Sequence, residues 1–299
     1  MKTDGPVVIA LDGSPHSEQT LDWGLAEATR RHAEVLLVRV FELPREFAEW
    51  SWYPLIDEDL GFETVAKEYL AELRTRERQR HPDLTIDSRE PHGAEVPELR
   101  RLSETAQLLV IGAAGHGRRP RVGSVSGHLA AHARCPVAVV RAAPADPAAP
   151  VVVGVDGSPE SVAAARTAAG AAALRQVPLV VLHARPVVAS AFGRGAPVLA
   201  TLPESYAAPT DPTQKAAQEI VDRLGVEHPT ADIRLEVVAD DPVHALVDAS
   251  RRAQLVVVGS RGLGAFRGML LGSVSHEVLR DAASTVLIMH DGRDDDRDE

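Results

Sequence analysis

Three glycines and a serine carry the chemistry that can be read from this chain. They are spaced Gly259-Ser-Arg-Gly262, then nine residues, then Gly272-Ser273. Before them runs Gln254-Leu-Val-Val-Val258, an apolar stretch of the kind that forms a fully buried strand. After them, Ser273 to Ala283 reads as a helix opened by small polar residues. A glycine-rich turn between a parallel strand and a helix is an anion site. Unpaired N–H groups and the helix dipole attract phosphate, and glycine lets the backbone come close to it. The loop therefore predicts a phosphate-bearing ligand, with a nucleotide as the first choice.

The same words occur twice in the chain. Val7-Val-Ile-Ala-Leu-Asp12-Gly13-Ser14-Pro15 recurs as Val151-Val-Val-Gly-Val-Asp156-Gly157-Ser158-Pro159. Leu108-Leu-Val-Ile-Gly112-Ala-Ala-Gly115 recurs as Leu255-Val-Val-Val-Gly259-Ser-Arg-Gly262, and Gly123-Ser124-Val125-Ser126 as Gly272-Ser273-Val274-Ser275. Cys135-Pro-Val-Ala-Val-Val140 matches Ser284-Thr-Val-Leu-Ile-Met289 more loosely. The order is collinear and the period domain-sized, about 145 residues, which makes this a tandem duplication and not a short-repeat solenoid. The expected organisation is a first domain over 1–142, a Pro/Ala linker over 143–150 that builds no core, a second domain over 151–290 and an acidic, disordered tail over 291–299.

The elements that must position these residues alternate strand and helix. In the first half, strands are expected near Val7–Leu11, Val35–Val40, Thr85–Arg89, Leu108–Ile111 and Val137–Val140, with helices between them. The second half repeats the scheme from Val151–Val155 to Thr285–Met289. Apolar strands alternating with helices predict an α/β fold: two tandem, doubly wound, five-stranded parallel-sheet domains. Ligands of such sheets sit at the carboxyl ends of the strands, at the switch point. Asp12 and Asp156 end the first strands and the glycine loops end the fourth, so all of them converge on one edge of each sheet. Asp-Gly is also a turn signal, but duplication and placement favour ligand contact for both aspartates.

Composition bounds the function. The chain has 299 residues, 44% hydrophobic and 25% charged, with net charge −11. Such acidity argues against a nucleic-acid surface. No apolar run approaches a membrane span and no signal peptide is visible, so no membrane partner is expected. A single cysteine, Cys135, reads as a small core residue in a cytoplasmic protein. His244 and His276 have no cluster at metal spacing and read as surface residues. Ser275 and His276 are adjacent on a helix and cannot face each other as a hydrolase dyad. No catalytic residue and no protein metal site are expected. Ser124 and Ser273 read as helix N-caps that can also meet phosphate.

Familiar phosphate loops do not fit. A Walker loop needs G-x4-G-K-[ST], and Gly268-Met-Leu-Leu-Gly272-Ser273 lacks both spacing and lysine. A dinucleotide fingerprint would follow the first strand, where Asp-Gly-Ser-Pro stands instead. G-x2-G-x9-G-[ST] after a fourth strand, with Asp ending the first, resembles the universal stress protein family in its tandem form. The resemblance spans nearly the whole chain. It implies the adenine-nucleotide alpha-hydrolase-like fold and ATP as ligand, with Mg2+. It also implies that Asp156 holds the adenosine, that backbone at Ala184 meets adenine, and that Gly259, Gly262, Gly272, Ser273, Val274 and Ser275 cradle the triphosphate. The matching first-half positions are Asp12, Val40, Gly112, Gly115, Gly123 and Ser124.

The first-half loop has seven residues between Gly115 and Gly123 where the second has nine. The shorter loop reaches up to about 7 Å less, which makes the second half the stronger expected site. Arg118, Arg119 and Arg121 offer positive charge in return. Long loops follow both second strands, one carrying Trp50, Trp52 and Tyr53. The resemblance further implies pairing through the last strands, as an intramolecular pseudo-dimer and in homodimers, with a protein partner not specified. Family members generally bind or regulate, with slow or no hydrolysis, and no general base or arginine finger is evident beside the loop. The expected function is therefore an ATP-binding stress-response regulator. The alternatives are a slow ATPase or autophosphorylating enzyme, and a nucleotide-free scaffold.

Overall fold

The computed structural model describes residues 4–41, 62–113, 123–141, 146–185, 212–264 and 270–290. The chain divides into two compact units, the first ending at Arg141 and the second beginning at Ala142. The first contains β1 (Val7–Ala10), α1 (Ser17–Arg31), β2 (Val35–Val38), α2 (Phe62–Arg80), β3 (Ile86–Arg89), α3 (Glu95–Ser103), β4 (Leu108–Gly112), α4 (Ser124–His132) and β5 (Val137–Val140). The second contains β6 (Val151–Gly154), α5 (Pro159–Arg175), β7 (Leu179–Ala184), α6 (Pro212–Glu227), β8 (Ile233–Val238), α7 (Pro242–Ser250), β9 (Leu255–Gly259), α8 (Ser273–Asp281) and β10 (Thr285–Met289).

Within the first unit the strand order is β3-β2-β1-β4-β5, all parallel. Within the second it is β8-β7-β6-β9-β10, also all parallel. Leaving β1, the chain winds outward through β2 and β3, then returns to β4 on the other side. The crevice over the β1/β4 boundary, and over β6/β9, is the switch point where such sheets hold ligands. Central strands are buried on both faces: Val151 to Val153 and Val256 to Val257 are inaccessible to solvent. This is why they read as unbroken apolar runs. The outer strands β3 and β8 are partly exposed and carry charges, Asp87 and Arg89 on β3 and Arg234 and Glu236 on β8.

Small residues let the helices lie close to the sheet. The buried face of α5 is almost entirely alanine, including Ala164, Ala165, Ala168 and Ala172. The spacing of three and four matches one face of a helix. Its first turn is fixed by Ser158, whose hydroxyl accepts from the Ser161 N–H at 3.1 Å, with Pro159 at the first helical position.

Of the Pro/Ala segment, residues 146–150 are described, and they are tied to the second unit. Ala149 is buried, and Gln254 donates to the carbonyls of Ala149 at 2.6 Å and Pro147 at 3.3 Å. The first unit has the same clamp, from Gln107 to the Gly5 carbonyl at 2.7 Å. A single polar side chain thus docks a segment that buries little more than one alanine. The aromatic loop with Trp50, Trp52 and Tyr53, most of the loop before α6, and the acidic tail fall outside the described residues.

Candidate nucleotide-binding site

The Asp-Gly turns are built alike. Asp12 and Asp156 each accept, through Oδ1, the N–H two residues on, from Ser14 and Ser158, at 2.9 Å. Gly13 and Gly157 follow with φ of 76° and 88°, a left-handed conformation that glycine adopts without strain. The turn-forming role of these aspartates is therefore real. In the second unit it coexists with another contact, because Oδ2 of Asp156 accepts the Leu263 N–H at 2.8 Å, across the crevice in the glycine loop. Burial pushes the Asp156 carboxyl pKa up, but hydrogen bonds from Ser158, Leu263 and Ser161 outweigh it and hold the group below the usual carboxylate range.

Gly262 is the point of closest approach. A Cβ on it would stand 2.3 Å from Asp156 Oδ2. Gly272 closes the loop by donating its N–H to the Ser260 carbonyl at 2.7 Å, and α8 begins immediately after it. No side chain caps α8; Gly272 is the N-cap. Ser273 stands one position inside the helix, as Ser124 does in α4 after the N-cap Gly123. The expectation that these serines are N-caps is thus corrected by one residue. The N–H groups of Ser273, Val274 and Ser275 precede the first helical bond, His276 N–H to the Gly272 carbonyl. They form the positive end of the helix. Ser275 itself is buried and donates to the Gly259 carbonyl at 2.6 Å, locking α8 to the end of β9. Ser126 does the same to Gly112 at 2.8 Å.

A cavity of about 280 Å3 opens at the switch point of the second unit. All eight second-half residues singled out from the sequence line it: Asp156, Ala184, Gly259, Gly262, Gly272, Ser273, Val274 and Ser275. Leu182 and Ala184 of β7 and Pro242 and Leu246 of α7 make its apolar end; across β6, the glycine loop after β9 and the start of α8 make the other. Arg261, which the sequence reading passed over, also lines it and pairs with Glu160 at 3.9 Å. The loop thus carries an arginine of its own, between Gly259 and Gly262. That place was the available signal.

The first-unit cavity, about 310 Å3, differs in chemistry. Asp12, Gly112, Gly123 and Ser124 line it, but Val40 does not, and Gly115 lies outside the described residues with Arg118, Arg119 and Arg121. Glu95, which opens α3, lines the wall that the second unit makes with Pro242, which opens α7. His16, Ser17 and Thr20 add further polar atoms. Ser17 also donates to Asp12 Oδ1 at 2.8 Å.

The remaining candidates fall away from both cavities. His276 is exposed on α8. His244 is exposed too but bonds to Asp240, a carboxylate partner not anticipated from the sequence. That bond raises the His244 pKa and lowers that of Asp240. Cys135 is buried, in no disulfide, and its thiol donates to the Pro136 carbonyl at 3.4 Å, a core residue as expected. Among the described residues no group of three His, Cys, Asp or Glu could hold a metal ion. No described helix is long and apolar enough to cross a membrane.

Two doubly wound parallel-sheet units, each with a cavity at its switch point, define an α/β protein of the adenine-nucleotide alpha-hydrolase-like class. The universal stress protein family matches twice, over residues 5–141 and 148–290, and the chain belongs to that family, in its tandem form. Universal stress protein Rv2005c of Mycobacterium tuberculosis is 34% identical over 297 residues, covering 94% of this chain and 96% of the relative. Universal stress protein Rv2623 of the same organism is 34% identical over 295 residues, covering 94% and 95%. The crystal structure of a universal stress protein from Archaeoglobus fulgidus superposes with a TM-score of 0.68 at 20% identity, covering 98% of both chains.

Proposed function

We propose that this protein is a nucleotide-gated regulator that binds ATP, with the second unit as its stronger site. The observation that carries this reading is the two-ended cavity of the second unit. Its apolar end suits a purine, and its polar end supplies uncapped helix N–H groups, a close backbone approach at Gly262 and the cation Arg261. Asp156 lies between the two and can accept hydroxyl hydrogens from a ribose. Its hold on the Leu263 N–H ties the nucleoside end to the phosphate loop, so occupancy at one end is felt at the other. In the first unit Glu95 stands where the second has the apolar Pro242 ring, which supports a weaker or different occupancy there.

The residues also fit a magnesium nucleotide. Mg2+ retains water and takes few protein ligands, usually alongside phosphate oxygens. The exposed hydroxyl of Ser273 at the α8 N-terminus is suited to that partly hydrated ion. The metal would neutralise phosphate charge, while the chain's own groups orient the nucleotide. The expected behaviour of the full chain in titration calorimetry is saturable binding of Mg-ATP, abolished by Gly262→Val. Heat of dilution alone at millimolar Mg-ATP would defeat the proposal.

A further inference from the structure

His183 is the penultimate residue of β7 and is only 3% exposed. Its Nδ1 lies 3.0 Å from the Val155 carbonyl oxygen, and its Nε2 lies 3.2 Å from Thr213 Oγ1. A carbonyl oxygen only accepts, so Nδ1 carries the hydrogen. In the neutral ring Nε2 then accepts from the Thr213 hydroxyl. One imidazole thereby ties together three pieces of chain: the end of β6 just before Asp156, the end of β7 just before Ala184, and the first turn of α6. Val155, Asp156 and Ala184 line the second-unit cavity, whereas His183 and Thr213 stand behind it.

Packing alone does not call for a histidine here. The preceding residues of β7, Val180, Val181 and Leu182, are apolar and buried. A buried polar ring costs free energy unless it is hydrogen-bonded. The first unit, with the same sheet register, uses another residue. Ala10 pairs with Val38 as Gly154 pairs with Leu182, which places Arg39 at the position of His183. The Arg39 guanidinium lies over the Tyr69 ring at 5.3 Å, a different contact altogether. The histidine bridge thus belongs to the unit whose cavity has the apolar, purine-sized end.

We infer that His183 is a positioning residue for the nucleoside end of the second-unit site. It holds the main chain at Val155 and Ala184, and with it Asp156, against the apolar floor. The inference rests on the nucleotide reading above. It predicts that His183 acts through the nucleoside portion that AMP and ATP share.

The test is titration calorimetry on the full chain with AMP and with Mg-ATP, at a temperature where melting curves show each variant folded. His183→Leu should weaken both ligands by the same factor, about tenfold. His183→Asn, whose amide can still donate to the Val155 carbonyl, should recover most of the loss. Should His183→Leu fail to fold, Thr213→Val keeps the shape and removes the hydroxyl, and should weaken AMP by about threefold. Nitrogen NMR of the wild type should find His183 with its hydrogen on Nδ1. Unchanged AMP affinity in the folded variants, a loss confined to Mg-ATP, no recovery with asparagine, or the other tautomer would each overturn the inference. If the wild-type chain bound neither AMP nor Mg-ATP, the nucleotide reading itself would fall, a result distinct from unaltered binding by the variants.

Discussion

At the scale of single residues, the contact between Gly262 and Asp156 decides most. The space between them has no room for a methyl group, since a Cβ would sit 2.3 Å from a carboxylate oxygen. Gly262→Ala must therefore part the loop and the Asp156 carboxylate, at the expense of the Leu263 hydrogen bond. The loop lies at the surface, with Leu263 and Gly264 exposed, so global stability should fall by less than about 1 kcal/mol. Nucleotide affinity should fall at least tenfold, by about 1.4 kcal/mol or more. Calorimetry and a melting curve on one sample separate the two effects.

Asp156 also makes a pH prediction. Its folded-state pKa lies below the usual carboxylate range, so it stabilises the fold above the unfolded-state value of about 3.9. The contribution disappears as pH falls through the depressed folded pKa. Asp156→Asn should therefore lessen the steepness of acid unfolding below about pH 4. An unaltered acid limb in the variant would remove this role.

At the scale of elements, the opening of α8 does two jobs that sequence alone did not separate. Its first N–H groups precede the helical bonding, while the Ser275 hydroxyl is committed to the Gly259 carbonyl. Ser275→Ala would leave that buried carbonyl without its side-chain donor and should destabilise the chain by about 1–3 kcal/mol. The effect should be visible as a lower Tm without ligand. Ser158→Ala removes the side-chain cap of α5 and should destabilise by about 1 kcal/mol. Denaturant melts of both variants give these values directly; no change for Ser275→Ala would mean that the carbonyl finds another donor.

At the scale of the whole molecule, duplication made the fold legible. Apolar runs such as Val151–Val153 and Leu255–Val258 identify central strands because both faces are covered by helices. Repetition then placed Asp156 and Gly259 at the same end of one sheet. The N-cap positions were harder to read, because Gly272 and Ser273 are both good caps and only backbone angles separate them. His183 and Arg261 were missed for different reasons. His183 lies inside an apolar strand, and its partners Val155 and Thr213 are remote in sequence. Arg261 reads as an ordinary loop charge until the cavity around it is seen. The contrast between Glu95 and Pro242 was also hidden, since it has meaning only once α3 and α7 are aligned within their units.

The central claim is that the second unit holds adenine nucleotide and the first holds it weakly or not at all. Denaturing freshly purified full-length protein, and measuring released nucleotide by chromatography against moles of chain, tests this most directly. The account predicts adenine nucleotide at close to one per chain, and its loss from Gly262→Val. Two per chain would contradict the ranking of the units. None released, with no uptake on adding Mg-ATP, would contradict the nucleotide-binding function altogether.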